Sequence, residues 1–214
     1  MPRKLRNLKK IEVYKKKGRL LDVGVGTGLF LNLAKNHGWI IYGIDISKYA
    51  TSKLAKKIKA RIFLGDIIDA PFKKNFFDVI NMRHTIEHTK DPKKTLLKAF
   101  WLLKLGGIIY ISTPNSYGFH ARVFGKDWPH WSPPFHLHFF SKISLCQLIR
   151  EAGFQILMTE TEEITIHDWV KFLINRMGWR LNYQQPSTLS KNLDKLLART
   201  GLGEGLVVVA KKLT

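Results

Sequence analysis

One cysteine, Cys146, stands in 214 residues, which excludes an intrachain disulfide framework and any multi-cysteine metal site. No apolar run approaches the ~20 residues needed to span a bilayer. The opening stretch, MPRKLRNLKKIEVYKKKGRLL, is basic but lacks the apolar core and cleavage site of a secretory signal. Acids are also scarce: 16 Asp+Glu face 36 Lys+Arg, for a net charge of +20. Residues 1–19 hold nine cations and one acid, Glu12, while Lys48 to Arg61 adds six cations and no acid. Such a surface attracts polyanions, nucleic acid or anionic lipid. No nucleic-acid-binding motif accompanies it, so a solvated face is the expected reading. What the chain does have is 45% hydrophobic and 12% aromatic residues, enough for one domain with a real core and too much for disorder. The expectation is a soluble, cytoplasmic globular protein.

Short apolar runs alternate with helical patterns through the first two-thirds. Arg19-Leu-Leu-Asp-Val-Gly, Trp39 to Asp45, Arg61 to Asp66, Phe76 to Asn81 and Gly106 to Ser112 read as five strands. Helices are expected at Leu29–Asn36, from Ser47 through Lys59, and at Pro92–Lys104. This alternation means right-handed βαβ units and a parallel sheet covered on both faces. After Asn115 the rhythm breaks into SYGFHARVFGKDWPHWSPPFHLHFF (116–140), and irregular loops of this length are usually functional. A helix Lys142–Ala152, a strand Phe154–Glu160, helices over 167–183 and 188–200, and a last strand from Gly205 complete the chain. Four parts follow: a basic arm or helix over 1–17, a domain over 18–214, a loop at 116–140 and a helical insertion at 161–203.

Asp22-Val-Gly24-Val-Gly26-Thr-Gly28 lies where a strand becomes a helix. Glycines allow a sharp turn and close approach to a ligand, and the helix start offers free N–H groups. The spacing is wrong for a dinucleotide, since Leu29 stands where Gly or Ala is needed, and no Gly-Lys-Ser/Thr follows. Asp45 ends the second strand, 21 residues after Gly24, where a carboxylate can accept both ribose hydroxyls. Asp66 ends the third strand and can accept an adenine amine; Asp22 suits a cationic amino group. Three carboxylates without a phosphate partner describe a cationic ligand carrying ribose and adenine. Each alone could simply cap a helix.

The ordered set LLDVGVGTG, IYGIDIS, GDI, FFDVINMRHTIEH and LLKLGGIIYISTPN resembles the class I S-adenosylmethionine-dependent methyltransferases. The most similar branch is that of the ubiquinone-biosynthesis-type O-methyltransferases and their small-molecule relatives, over about residues 18–155, with PPFHLHFFS also matching. The resemblance implies a doubly wound α/β fold, Rossmann-like, with a mostly parallel seven-stranded sheet and an antiparallel last strand. It implies that Gly24, Gly26 and Gly28 cradle the methionine part of S-adenosylmethionine, with Asp22 supporting the loop. Asp45 would hold the ribose, Ile46 would pack on the adenine, and Asp66 with Ile67 would bind its edge. Asn81 and Met82 would face the sulfonium. Leu105 stands where the family often has Pro, a departure in a turn.

His84, Glu87 and His88 fall at i, i+3 and i+4, one face of a helix. Literally this is the H-x-x-E-H pattern of an inverted zinc protease, but it follows a buried strand of a methyltransferase-like array. Some similar quinone O-methyltransferases have Glu at the position of His84 and use it with the Glu-His pair for a metal; His in that place puts a hard-metal site in doubt, though imidazole would suit zinc, and no metal is assigned. Methylating a hydroxyl requires a base, and His88, with His84 beside it, is the candidate. Glu87 is read as bonding neighbouring loops. In the 116–140 loop, Trp128, His130, Trp131 and His136 are assigned to the acceptor, Phe139 and Phe140 to the core. The expected function is methyl transfer to a small organic acceptor at oxygen. The alternatives are a nucleic-acid or protein methyltransferase using the basic surface, and a non-catalytic nucleoside- or polyanion-binding module. Against a base-amino methylase, Asn81 begins Asn-Met-Arg-His rather than Asn/Asp-Pro-Pro-aromatic.

Overall fold

The computed structural model describes residues 3–162 and 198–213. Its elements, in chain order, are α1 (Arg3–Tyr14), β1 (Arg19–Val23), α2 (Leu29–Asn36), β2 (Ile40–Asp45), a wide turn Ala50–Leu54 running into α3 (Ala55–Ile58), and β3 (Arg61–Leu64). Then come β4 (Phe77–Arg83), α4 (Pro92–Leu102), β5 (Leu103–Pro114), α5 (Phe119–Phe124), α6 (Lys142–Glu151), β6 (Phe154–Thr161) and β7 (Gly205–Lys212). The strands form one seven-stranded sheet in the order β3-β2-β1-β4-β5-β7-β6. β1 to β5 pair in parallel; β7 lies antiparallel to both β5 and β6. The fold class read from the sequence is the one observed. The helices expected over 167–183 and 188–200 fall outside the described residues, except for a last turn that belongs to the wide turn Ala198–Leu202.

Each central strand is apolar on both sides because both faces are covered. On one face Leu20, Val79, Ile108, Tyr110 and Val209 pack with Leu8 and Ile11 of α1 and Phe30 and Leu31 of α2. On the other, Leu21, Ile80, Ile109 and Val208 pack with Leu96 and Ala99 of α4 and Leu145 and Ile149 of α6. The Asp91 carboxylate caps α4, with Pro92 at its first position, and Ser141 with Ser144 forms a capping box on α6. The expected Pro92–Lys104 helix is shorter, since Leu103 already pairs with Phe77 as the first residue of β5.

The basic opening stretch is not a solvated tail. Residues 3–14 are helical, and Asn7, Leu8 and Ile11 are fully buried. Spacing of three and four puts these positions on one face of α1, leaving Lys9 and Val13 outside. Lys10 pairs with Glu160, and Glu12 meets His37 and Trp39, so part of the charge is tied down. Among the described residues no helix is long and apolar enough to cross a membrane.

Candidate active site

β1 and β4 are neighbours while the chain runs outward from β1 to β2 on the other side, so the carboxyl ends of the central strands form a switch point. Ligands of open α/β sheets bind there. A cavity of about 400 Å³ opens at this edge. Val23, Gly24, Gly26, Asp45, Asp66 and Ile67 line it together with His84, Thr85 and His88. The glycines are conformational requirements. Gly24 sits at φ +79°, where a Cβ would come 2.5 Å from Thr85 Oγ1, and Gly28 at φ +72°, where it would meet Leu54 at 2.6 Å. Gly28 itself is buried and starts α2; it shapes the loop without lining the cavity.

Asp45 does two jobs on the protein side: Oδ2 accepts the Gly26 N–H at 2.8 Å and Oδ1 accepts the Ser47 N–H at 2.8 Å. Each oxygen keeps a second lone pair toward the cavity. Asp66 caps the short turn Ile67–Asp69 by accepting the Ile68 N–H at 2.9 Å, and it too lines the cavity. Ile46 lines the cavity and stands 81% exposed, an apolar surface waiting for a partner. Met82 is corrected by the structure. β4 runs on to Arg83, so alternation turns the Met82 side chain into the core on the α4 face, away from any cavity wall. Asn81, on the opposite face, donates to Asp22 at 2.5 Å and leaves its own Oδ1 without a protein partner.

Asp22 is buried beneath the loop, and desolvation pushes its carboxyl up to about 7, against the Asn81 hydrogen bond and the Arg83 charge. It lines a second cavity of about 130 Å³ with Gly24, Thr27 and Phe30, together with Lys4 and Arg83. These two cations were missed in the sequence. Lys4 lay in a stretch read for its charge, and Arg83 lay beyond the expected strand end. Docking of α1 brings Lys4 there, and burial lowers its ammonium below its usual range, as do Arg83 and Arg3. Arg83 also lies over the Phe30 ring, 5.4 Å from its centroid.

The histidine motif does not form a helical face. His84 takes φ +48°, and only Ile86–His88 makes a single 3₁₀ turn. The break follows from Thr85, whose hydroxyl donates to the Val23 carbonyl at 2.8 Å and ties the segment to β1. Partner chemistry decides the tautomers. A carbonyl only accepts, so His88 Nδ1, 2.7 Å from Phe135 O, carries a proton and leaves Nε2 as the basic nitrogen. His136 is held the same way by His130 O at 2.7 Å. The Arg3 guanidinium only donates, so His84 Nε2 accepts at 3.0 Å and Nδ1–H faces Glu87 Oε1 at 3.4 Å. Glu87 is buried, which raises its pKa, but hydrogen bonds from His84, its own N–H and Thr113 prevail and hold the carboxyl below its usual range. Its backbone carbonyl accepts from Leu137 and His138, which brings His136 against His88 with ring centroids 4.7 Å apart. Ligand atoms of Glu87, His88 and His136 lie within 4.8 Å of one another, a group able to hold a metal ion.

Next to these rings the 116–140 loop forms a cleft of about 340 Å³ lined by Ser116, Lys126, Trp128, Trp131 and Phe139. Trp131 stacks on Phe139 at 4.4 Å, so Phe139 belongs to the cleft, not to the core where it was expected; Phe140 is core. The His130 ring lies 5.3 Å from Trp128 and 5.8 Å from His136. Burial and the charges of His136 and His84 lower the His130 pKa.

Comparison with known proteins converges on the same cofactor. The sequence profile of a methyltransferase domain family matches residues 2–159. An uncharacterised protein of Methanocaldococcus jannaschii is 32% identical over 146 residues, 68% of this chain and 69% of that one. A probable S-adenosylmethionine-dependent methyltransferase of Mycolicibacterium smegmatis is 27% identical over 64% of this chain, which spans only 52% of that protein. A ubiquinone biosynthesis O-methyltransferase of Thiobacillus denitrificans is 28% identical over 69% of this chain and 66% of its own length. Among solved structures, an S-adenosylmethionine-dependent methyltransferase of Archaeoglobus fulgidus superposes with a TM-score of 0.68 at 23% identity, covering 98% of this chain and 92% of that one. One from Thermotoga maritima, described as a possible histamine N-methyltransferase, gives 0.67 at 24% identity over 98% and 88%. These two likenesses establish fold alone. With the glycine loop, the paired carboxylates and a family match across three-quarters of its length, the chain belongs to the class I S-adenosylmethionine-dependent methyltransferases.

Proposed function

We propose that this methyltransferase acts at an oxygen of a small organic acceptor seated in the Trp128–Trp131–Phe139 cleft, with His88 as base. The observation that carries the reading is a single cavity whose lining holds both the nucleoside-type carboxylates Asp45 and Asp66 and the imidazole of His88. When bound, S-adenosylmethionine supplies an electrophilic methyl group. The chain's own residues do the rest. Asp45 accepts the ribose hydroxyls, Asp66 and Ile67 meet the adenine edge, and Ile46 covers the ring. Gly24 and Gly26 let the backbone approach the methionine part. Lys4 and Arg83 face its carboxylate, and Asp22 offers charge to its ammonium. His88 Nε2 takes the acceptor proton, while Phe135 O holds the ring and stabilises the imidazolium through Nδ1–H. Alignment of nucleophile and methyl is the main task, worth roughly 7–11 kcal/mol at best.

Two results test the cofactor half. Asp45→Ala should weaken S-adenosylmethionine binding by about 1.5–3 kcal/mol in calorimetric titration, the range for hydrogen bonds to a charged group. Part of that loss comes through Gly26, whose N–H loses its acceptor. Unchanged affinity in a folded variant removes Asp45 from the ribose site. The second result concerns pH. With the free Asp22 carboxyl near 7, a cationic ligand beside it lowers that value and expels a proton. Affinity should therefore rise as pH climbs toward 7 and level off above it. Titration in buffers of different ionisation enthalpy should detect the proton, and Asp22→Asn should abolish it. A pH-independent affinity in the native chain would leave Asp22 with a purely structural role.

A second reading of the same imidazole rests on the Glu87–His88–His136 group. Each histidine donates Nδ1–H to a backbone carbonyl, the outer support that metal-binding histidines typically have. In that reading the ion, not His88, lowers the acceptor's pKa.

A further inference from the structure

The net charge of +20 collects on one side of the fold. Strands β1 to β5 are parallel, so their first residues share one edge of the sheet, opposite the edge that holds the cofactor cavity. β7 runs the other way and ends at that same edge. Lys16 and Lys17 precede β1, Lys59 and Arg61 flank the start of β3, and Lys73 and Lys74 lead into β4; all six are exposed. Two acids of this edge are already engaged, Asp78 by Lys104 and the Arg19 N–H, and Glu12 by His37 and Trp39. Cations that follow a helix offset its C-terminal dipole, which accounts for Lys16, Lys17 and Lys59 after α1 and α3. It does not account for Lys73 and Lys74, which follow no α-helix. Nor does it account for the large apolar residues exposed among the cations. Ile40 opens β2, Trp101 lies in the last turn of α4, Leu105 stands near the start of β5, and Leu213 follows β7.

We propose that this amino-terminal edge docks on an anionic lipid bilayer, its lysines meeting the lipid phosphates while Ile40, Trp101, Leu105 and Leu213 enter the headgroup region. Basic and apolar side chains mixed on one surface are the composition of an interfacial membrane site. Neighbouring strands lie ~4.8 Å apart, so the row from Arg61 on β3 to Leu213 beyond β7 runs about 24 Å, a broad rim rather than a groove. A single-stranded nucleic acid needs aromatic faces on which to stack its bases, whereas three of these four exposed apolar residues are aliphatic. A protein partner fits less well, because five of the six cations are lysine, a residue depleted at protein interfaces. Docked this way, the cavity at the opposite edge faces the aqueous side. The surface then locates the enzyme and takes no part in admitting the acceptor.

The test sediments the full chain with vesicles of phosphatidylcholine alone and of phosphatidylcholine with an equal part of phosphatidylglycerol. The anionic vesicles should bind it about tenfold tighter or better, and salt should narrow that gap. Lys73→Glu combined with Lys74→Glu should lower vesicle binding by about tenfold or more. S-adenosylhomocysteine affinity should stay at the native value in that variant, which also reports an intact fold. Should it fail to fold, Lys16→Glu combined with Lys17→Glu should show the same loss. Leu105→Ser changes no charge and should still weaken vesicle binding severalfold, because it withdraws apolar surface from the headgroup region. Equal binding to both vesicles, binding to neither, or binding untouched by charge reversal overturns the proposal. So does full binding by Leu105→Ser, which would leave a charge attraction without insertion. Retention of single-stranded RNA that anionic vesicles do not displace, lost in the same charge-reversed variants, overturns it in favour of a nucleic acid.

Discussion

His88→Ala should lower turnover by about 10²–10⁴-fold, the usual worth of a positioned general base, and leave S-adenosylmethionine affinity unchanged. The separation is expected because no ribose, adenine or methionine contact is assigned to His88, although it shares a cavity with the residues to which those contacts are assigned. Initial rates and calorimetry on the same preparation read both quantities. The metal reading makes a different pattern. Loss in His136→Ala would then match loss in His88→Ala, and chelators would abolish activity that zinc or magnesium restores. Under the base reading His136→Ala is the milder change, since His136 only packs beside His88 with centroids 4.7 Å apart. If His88→Ala loses cofactor affinity and turnover together, the residue is structural. That outcome has a clear physical route, because its bond to Phe135 O helps hold the 116–140 loop.

The largest effect on stability should come from Ile11→Ala, at about 2–5 kcal/mol. Ile11 and Leu8 are fully buried between α1 and the sheet, packed with Leu20, Val79 and Tyr110, so truncation leaves a cavity that rigid strands cannot close. A domain's whole stability is only about 5–15 kcal/mol, so the shift would dominate a urea transition. Lys9→Ala, exposed on the same helix, should stay within about 0.5 kcal/mol. Ile11→Ala should also weaken cofactor binding, because α1 is what carries Lys4 to Asp22 and Arg83. An unfolding midpoint equal to that of the native chain would mean that α1 does not dock, and the role given to Lys4 would fall with it.

The two predictions sit on opposite sides of what one dimension can reveal. Strands β1 to β5 were legible because buried parallel strands are short, largely apolar runs, and because the first three carry punctuation beside them: Gly24 after β1, Asp45 at the end of β2, Asp66 after β3. A site built at strand ends inherits that local signal, so Asp45 and Asp66 could be placed at those ends from spacing. Met82 failed by one residue of register. Period-two alternation sends neighbours to opposite faces, and the true strand runs on to Arg83.

The acceptor side obeyed no such rule. His84 looked helical by spacing, but the Thr85 hydroxyl bond to β1 competes with the helix and wins, turning His84 to φ +48°. His136 meets His88 because two N–H groups of a distant loop find the Glu87 carbonyl, a pairing that joins positions about 50 residues apart. Arg3 reaches His84 across 81 residues for a still more remote reason, the burial of Leu8 and Ile11 further along the same helix. From its sequence alone, therefore, this protein's sheet and glycine loop were determined, since each rests on neighbouring residues and their periodicity, while the cofactor followed from the resemblance of the ordered motifs to the methyltransferase family. Which cations stand beside Asp22 and which nitrogen of each histidine is basic were decided only when packing brought separate segments together.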